Sequence, residues 1–120
     1  MTALLVFLGG GIGSVVRYLV GLGLPVKVGH FPLGTFVVNV LGSFLIGVMA
    51  ALAVRFNWNE SYRLALTVGL CGGFTTFSTF SREGLSFVES GRWGLFALYA
   101  VGSVALGVGA AALGFFIGKQ

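Results

Sequence analysis

Acidic side chains are nearly missing from this sequence: there are three, against seven basic ones, in 120 residues. Charged residues make up 8% of the chain, where about 25% is usual for soluble proteins. A water-facing surface built from so few charges would expose large apolar patches and aggregate, so a soluble globule is excluded. Cysteine occurs once, at Cys71, which excludes an intramolecular disulfide and leaves the redox compartment open. Histidine occurs once, at His30, in a proline-flanked stretch, and Cys71 has no neighbouring base. No carboxylate pair or metal-ligand cluster falls inside an apolar run, so the chain does not read as an enzyme. The basic residues stand singly, without the clustering that nucleic acid requires, and no nucleic-acid partner is expected. The N-terminus has no basic region ahead of its first apolar run and no convincing cleavage site after it, so that run reads as a retained helix.

What the chain does have is apolar length. Hydrophobic residues make up 57% of it, and mean hydropathy is +1.02. Crossing about 30 Å of hydrocarbon takes roughly 20 apolar residues in a helix. Four such runs predict one four-helix transmembrane domain over residues 1–120, with spans at about 3–24, 33–54, 64–88 and 93–118. The first is interrupted only by Arg17. Lys27, His30 and Pro32 mark the loop after it, and Trp58 and Tyr62 sit in a polar segment suited to a membrane interface. The runs are continuous rather than alternating, which argues for helices over a closed barrel.

Basic residues specify orientation poorly. One side carries Arg55, Arg63 and Lys119; the other carries Lys27 and Arg92, joined by Arg17 and Arg82 if they lie near the interface. The positive-inside rule therefore picks neither orientation. One sequence inserted both ways gives antiparallel dimers, and four helices alone enclose little pore. Glycine is abundant, at 21 residues. The pairs Gly9/Gly13, Gly69/Gly73 and Gly114/Gly118 put small residues one turn apart, for close packing either within a subunit or between subunits. The run Gly9-Gly10-Gly11-Ile12-Gly13 lacks the spacing and the strand–helix setting of a nucleotide loop.

Three polar groups stand out. Gly72-Gly-Phe-Thr-Thr-Phe-Ser-Thr-Phe-Ser81 places two glycines and five hydroxyls, all poor helix formers, in the middle of the third span. Either the helix breaks there and lines a cavity, or it continues with hydroxyls bonded to the preceding turn. Asn39 is the lone amide of the second span; it lines water or bridges helices. Arg17 and Glu83 are the third group. Intramembrane charges are functional suspects by default; the bland alternatives are that Arg17 snorkels to the interface and that Glu83 caps a turn or pairs with Arg82.

These residues resemble those of the small bacterial fluoride channels, also known by the camphor-resistance name. The matches are Gly10-Gly11 through Gly13 to Arg17-Tyr18, Gly34-Thr35 with Val38-Asn39, the long run from Gly69 to Ser81, and the acid at Glu83. The resemblance implies an all-α, multi-pass protein of the bacterial inner membrane. It implies an antiparallel, dual-topology homodimer whose third helix is broken mid-membrane, within about 72–80. It implies passive, fluoride-selective export that protects against fluoride toxicity. A structural sodium ion is expected at the dimer interface, on the backbone carbonyls of Gly72 and Thr75. Fluoride is expected to pass Asn39, Phe77, Phe80, Ser78, Thr79, Tyr99 and Ser103, with Arg17 in a wet vestibule. A further hydroxyl found in some members, one turn past Ser103, is Gly107 here.

The chemistry suits the resemblance. A pore selective for a small, tightly hydrated anion must replace water with O–H and N–H donors, which Ser, Thr, Tyr and Asn supply. Phenylalanine offers a positive ring edge without a formal charge, and conduction needs binding that also releases. Two other readings remain. A small dual-topology drug or cation exporter would want an acid deep in a span, and Glu83 falls past the uncharged part of the third. A non-transporting assembly factor would not need a hydroxyl-rich third helix.

Overall fold

In lipid every backbone N–H and C=O needs an internal partner, and long apolar runs meet this need as helices. The computed structural model describes residues 1–25 and 30–120; Lys27, assigned to the first loop, lies outside them. The described residues include four helical segments long and apolar enough to cross a membrane. The first two are α1 (Thr2–Gly23) and α2 (Leu33–Arg55). The third, Glu60–Glu89, comprises α3 (Glu60–Leu64), π-helical turns (Ala65–Cys71), α4 (Gly72–Phe74) and α5 (Phe77–Glu89). The fourth is α6 (Trp93–Lys119). The third segment starts earlier than hydropathy suggests because Asn59 caps it, its Oδ1 accepting from the Ser61 N–H at 2.8 Å. Its far end turns into α6 through Gly91, whose φ of 73° is the left-handed region glycine enters freely.

The small-residue pairs do their packing inside one chain. A Cβ on Gly13 would collide with the Leu70 carbonyl oxygen and stand 2.8 Å from the Phe74 nitrogen. One on Gly73 would strike the Gly10 carbonyl oxygen, and one on Gly69 would stand 2.8 Å from that of Val6. Residue numbers rise together along this seam, so α1 and the third segment run parallel in backbone contact. A second parallel seam joins α2 to α6. Missing side chains at Gly47, Gly114 and Gly118 admit the Ala111, Phe44 and Val48 backbones.

The two seams together place the start of α1, the 56–59 connection and the C-terminus at one end. There the Thr2 and Ser61 hydroxyls lie 2.5 Å apart, and Gly118 lies against Ala51. Arg55, Arg63 and Lys119 share that end, whereas Arg17, Arg82 and Arg92 lie toward the other. Phe7 and Ile12 on α1, and Val101, Val104 and Val108 on α6, face outward and exposed. Such a surface suits lipid or a second apolar chain.

Candidate functional site

Helical backbone conformation lapses at two residues, although the Thr75 N–H still reaches the Cys71 carbonyl at 3.0 Å. Thr75 (φ −86°, ψ 160°) and Thr76 (φ −150°, ψ 121°) are extended between the end of α4 and the start of α5. Gly72 and Gly73, the weak points by propensity, are themselves helical. The groups around the lapse are partnered from elsewhere in the chain. Asn39 reads both sides of Thr76: its Nδ2 donates to the Thr76 carbonyl at 3.0 Å, and its Oδ1 accepts the Thr76 N–H at 2.8 Å. Thr76 caps α5 in turn, its Oγ1 accepting the Thr79 N–H at 3.2 Å and donating to Thr79 Oγ1 at 3.1 Å. Ser78 Oγ lies 3.4 Å from the same Thr76 hydroxyl. Arg17 Nε donates to the Gly73 carbonyl at 3.1 Å, serving the end of α4.

A consequence follows for two carbonyls. An uninterrupted helix bonds each N–H to the carbonyl four residues back. The Thr76 N–H would therefore reach Gly72, and the Thr79 N–H would reach Thr75. The first goes instead to Asn39 and the second to the Thr76 hydroxyl. The carbonyls of Gly72 and Thr75 are thus among those that lose their helical donors at the lapse, as is that of Gly73, which Arg17 serves. The Thr75 hydroxyl bonds back to the Cys71 carbonyl at 3.0 Å.

Glu83 lies within the expected third span but has neither of the roles weighed for it. It sits on α5, only 9% exposed, and neither caps a turn nor pairs with Arg82. Its carboxylate accepts the Thr35 hydroxyl at 3.0 Å and the Tyr99 hydroxyl at 2.8 Å, joining α2, α5 and α6. An acid this deep is tolerable because charge-assisted hydrogen bonds partly replace its water. Tyr99 is fully buried at the middle of an aromatic cluster. Phe80 lies 4.8 Å from it between ring centroids, Phe31 5.2 Å and Phe87 6.1 Å. Phe77 and Phe80 share one face of α5, 5.6 Å apart, and Phe77 is 76% exposed.

Two cavities flank this region. One, of about 330 Å³, is lined by Arg17, Arg82, Thr35, Thr76, Thr79 and Glu83 among others. The other, of about 280 Å³, is lined by Asn39, Ser43, Gly72, Thr75, Thr76 and Phe77 among others. Asn39, Gly72, Thr75 and Phe77 therefore meet around one space, and Arg17 and Thr79 around its neighbour. Phe80 and Tyr99 pack together, Ser78 is exposed outside both cavities, and Ser103 Oγ is buried without a hydrogen-bond partner among the described residues. Sequence reasoning quoted Thr35 and Thr76 within motifs but gave neither a role of its own. Thr35 had a readable signal, lying one turn before Asn39 on α2; Thr76 did not, because its role depends on a partner 37 residues away.

Residues 4–115 match the model of one family, the CrcB-like proteins of camphor resistance. The chain belongs to that family. It is 50% identical to the fluoride-specific ion channel FluC of Phocaeicola vulgatus, over 97% of each chain. It is 44% identical to that of Bacteroides fragilis, over 96% of this chain and 94% of the relative. A third relative of the same name, from Nitrobacter winogradskyi, is 50% identical over 91% and 88%. Family membership of this extent covers α1 through most of α6, so every candidate residue above falls within the matched region.

Proposed function

We propose that this chain is a fluoride-selective channel, one four-helix transmembrane domain that conducts passively as an antiparallel, dual-topology homodimer in a bacterial inner membrane. The observation that carries the reading is the face of α5. There Phe77 and Phe80 lead from an exposed position to the buried Tyr99, beside the hydroxyls of Thr76 and Thr79. Ring edges and O–H groups can replace the water of a small anion without trapping it as a lysine would. The names of relatives matching nearly the whole chain support the ion. Phe77 and Gly72 are exposed although they lie within a membrane-spanning segment, which favours a second copy covering them. The basic residues, shared between both ends, favour insertion both ways.

Within each subunit the third helix is read as broken mid-membrane at Thr75 and Thr76. Asn39 holds the break open, and Arg17, beside a cavity, raises the local concentration of anions. The Gly72 and Thr75 carbonyls suit a sodium ion, since backbone freed from helical bonding is a recurring cation ligand. Two oxygens from one chain are too few to enclose a cation, so a sodium site needs the same pair from a partner. Bound there, the cation would pin the two breaks together.

Glu83 keeps an exporter on the table, because a buried acid is what proton-coupled transport requires. It is already held by two hydroxyl donors, however, and relatives matched over nearly their whole length carry a channel name. Liposomes containing only this protein decide the matter. Fluoride efflux that runs without a proton gradient, with chloride retained, is the expected result. Fluoride retained, or chloride released equally fast, would overturn the reading.

A further inference from the structure

The α2–α6 seam carries two polar rows in register. On α2, Thr35, Asn39 and Ser43 fall one turn apart on one face; on α6, Tyr99, Ser103 and Gly107 do the same. The helices run parallel, so the rows match rung by rung. At the first rung, Thr35 and Tyr99 both donate to Glu83. At the third, the atom nearest to a Cβ built on Gly107 is the Ser43 oxygen, at 3.5 Å, an ordinary van der Waals distance. Between them lie Asn39 and Ser103, the latter with a buried hydroxyl that bonds to nothing among the described residues. An orphan hydroxyl at such a place is costly unless something visits it. The row on α6 therefore stops at Gly107, and the row on α2 supplies a hydroxyl at that same rung.

We infer that Ser43 is a pathway residue: its hydroxyl takes over from Ser103 where α6 offers no side chain, handing a desolvated anion between α6 and α2. The inference rests on the fluoride-channel reading above. Ser43 also lines the cavity that Asn39, Thr75 and Phe77 share, so it touches both the seam and the open space. In the resting structure its hydroxyl donates to the Asn39 carbonyl at 2.7 Å. That bond is releasable. A serine hydroxyl turns freely about its Cβ–Oγ bond, and the Asn39 carbonyl is positioned to keep its helical partner, the Ser43 N–H, when the hydroxyl leaves. The alternative is a hydroxyl that merely bonds back to its own helix.

The two accounts part on a transfer experiment. Fluoride efflux is measured per mole of folded, reconstituted protein for wild type, Ser43→Ala, Ser43→Thr, Ser43→Ala/Gly107→Ser and Ser43→Ala/Gly107→Ala. Loss of one neutral donor should cut flux roughly five- to tenfold in Ser43→Ala, and Ser43→Thr should stay near wild type. Gly107→Ser in the alanine background should restore most of the flux by returning a hydroxyl from the facing helix, whereas Gly107→Ala should not. Normal flux in Ser43→Ala overturns the inference while leaving the channel intact, and so does equal rescue by Gly107→Ala. A wild type that does not conduct fluoride overturns the channel reading and this inference together, which keeps the two failures distinguishable.

Discussion

Phe80→Ile and Phe77→Ile should each give a folded, reconstitutable protein that has lost most of its fluoride throughput. Isoleucine keeps much of the apolar bulk and removes the ring edge, the only part of either side chain with an electrostatic claim on an anion. The structural costs differ between the two sites, which helps the test. Phe77 is 76% exposed and forfeits one ring pair, to Phe80 at 5.6 Å. Phe80 forfeits that pair and a second, to Tyr99 at 4.8 Å, each worth about 0.5–1.5 kcal/mol. If packing alone mattered, Phe80→Ile would lower stability and Phe77→Ile would lower it less. If ring edges matter, both abolish flux regardless of stability. Phe80→Met should be milder than Phe80→Ile, because a polarisable thioether adapts to a passing ion. Flux per folded protein is the measurement, and normal flux in both isoleucine variants would sink the ring-edge mechanism.

Asn39→Leu should be clearly destabilising. Asn39 accepts the Thr76 N–H at 2.8 Å and donates to the Thr76 C=O at 3.0 Å, a carbonyl that also takes the first helical N–H of α5. Leucine has the same branched outline and offers neither bond. Leaving the Thr76 N–H without a partner costs about 1–3 kcal/mol, and losing one of two bonds to its carbonyl costs less. Together the two losses amount to about 1–4 kcal/mol on that scale. In detergent, the unfolding midpoint should fall by roughly 5 °C or more, on the usual relation between energy and midpoint for small domains. Asn39→Asp tests the halves separately: a carboxylate still accepts the Thr76 N–H but cannot donate to its carbonyl. It should lie below wild type as well. An unchanged midpoint in Asn39→Leu would show that the two amide bonds contribute nothing net.

The spans were legible because lipid imposes one demand, apolar length with internal hydrogen bonds, and hydropathy reads it directly. The small-residue pairs were legible as contacts, but not as contacts within one chain. Gly13 against Leu70 and Gly47 against Ala111 is a matter of which helices are neighbours, and spacing alone does not carry that. The weak stretch of the third span was visible in its composition, and its geometry was not. Propensity points at Gly72 and Gly73, yet the extended residues are Thr75 and Thr76, because Asn39 and Thr76 itself offer partners there. Glu83 was misjudged for the same reason. A carboxylate looks like an interface residue when its neighbours in sequence are Arg82 and Gly84. Its true partners are 48 and 16 residues away.

That separation has a consequence for how the chain is made. Synthesis proceeds from the N-terminus, so Thr35 exists well before Glu83, and Tyr99 only 16 residues after it. Until then the carboxylate has at most one of its two donors, and committing it to hydrocarbon is costly. The lower mean hydropathy of the third segment, 1.3 against 1.8 to 2.3 for the others, gives little surplus to offset that cost. The polar join around Glu83 is therefore complete only once the last segment translated has brought the Tyr99 hydroxyl alongside.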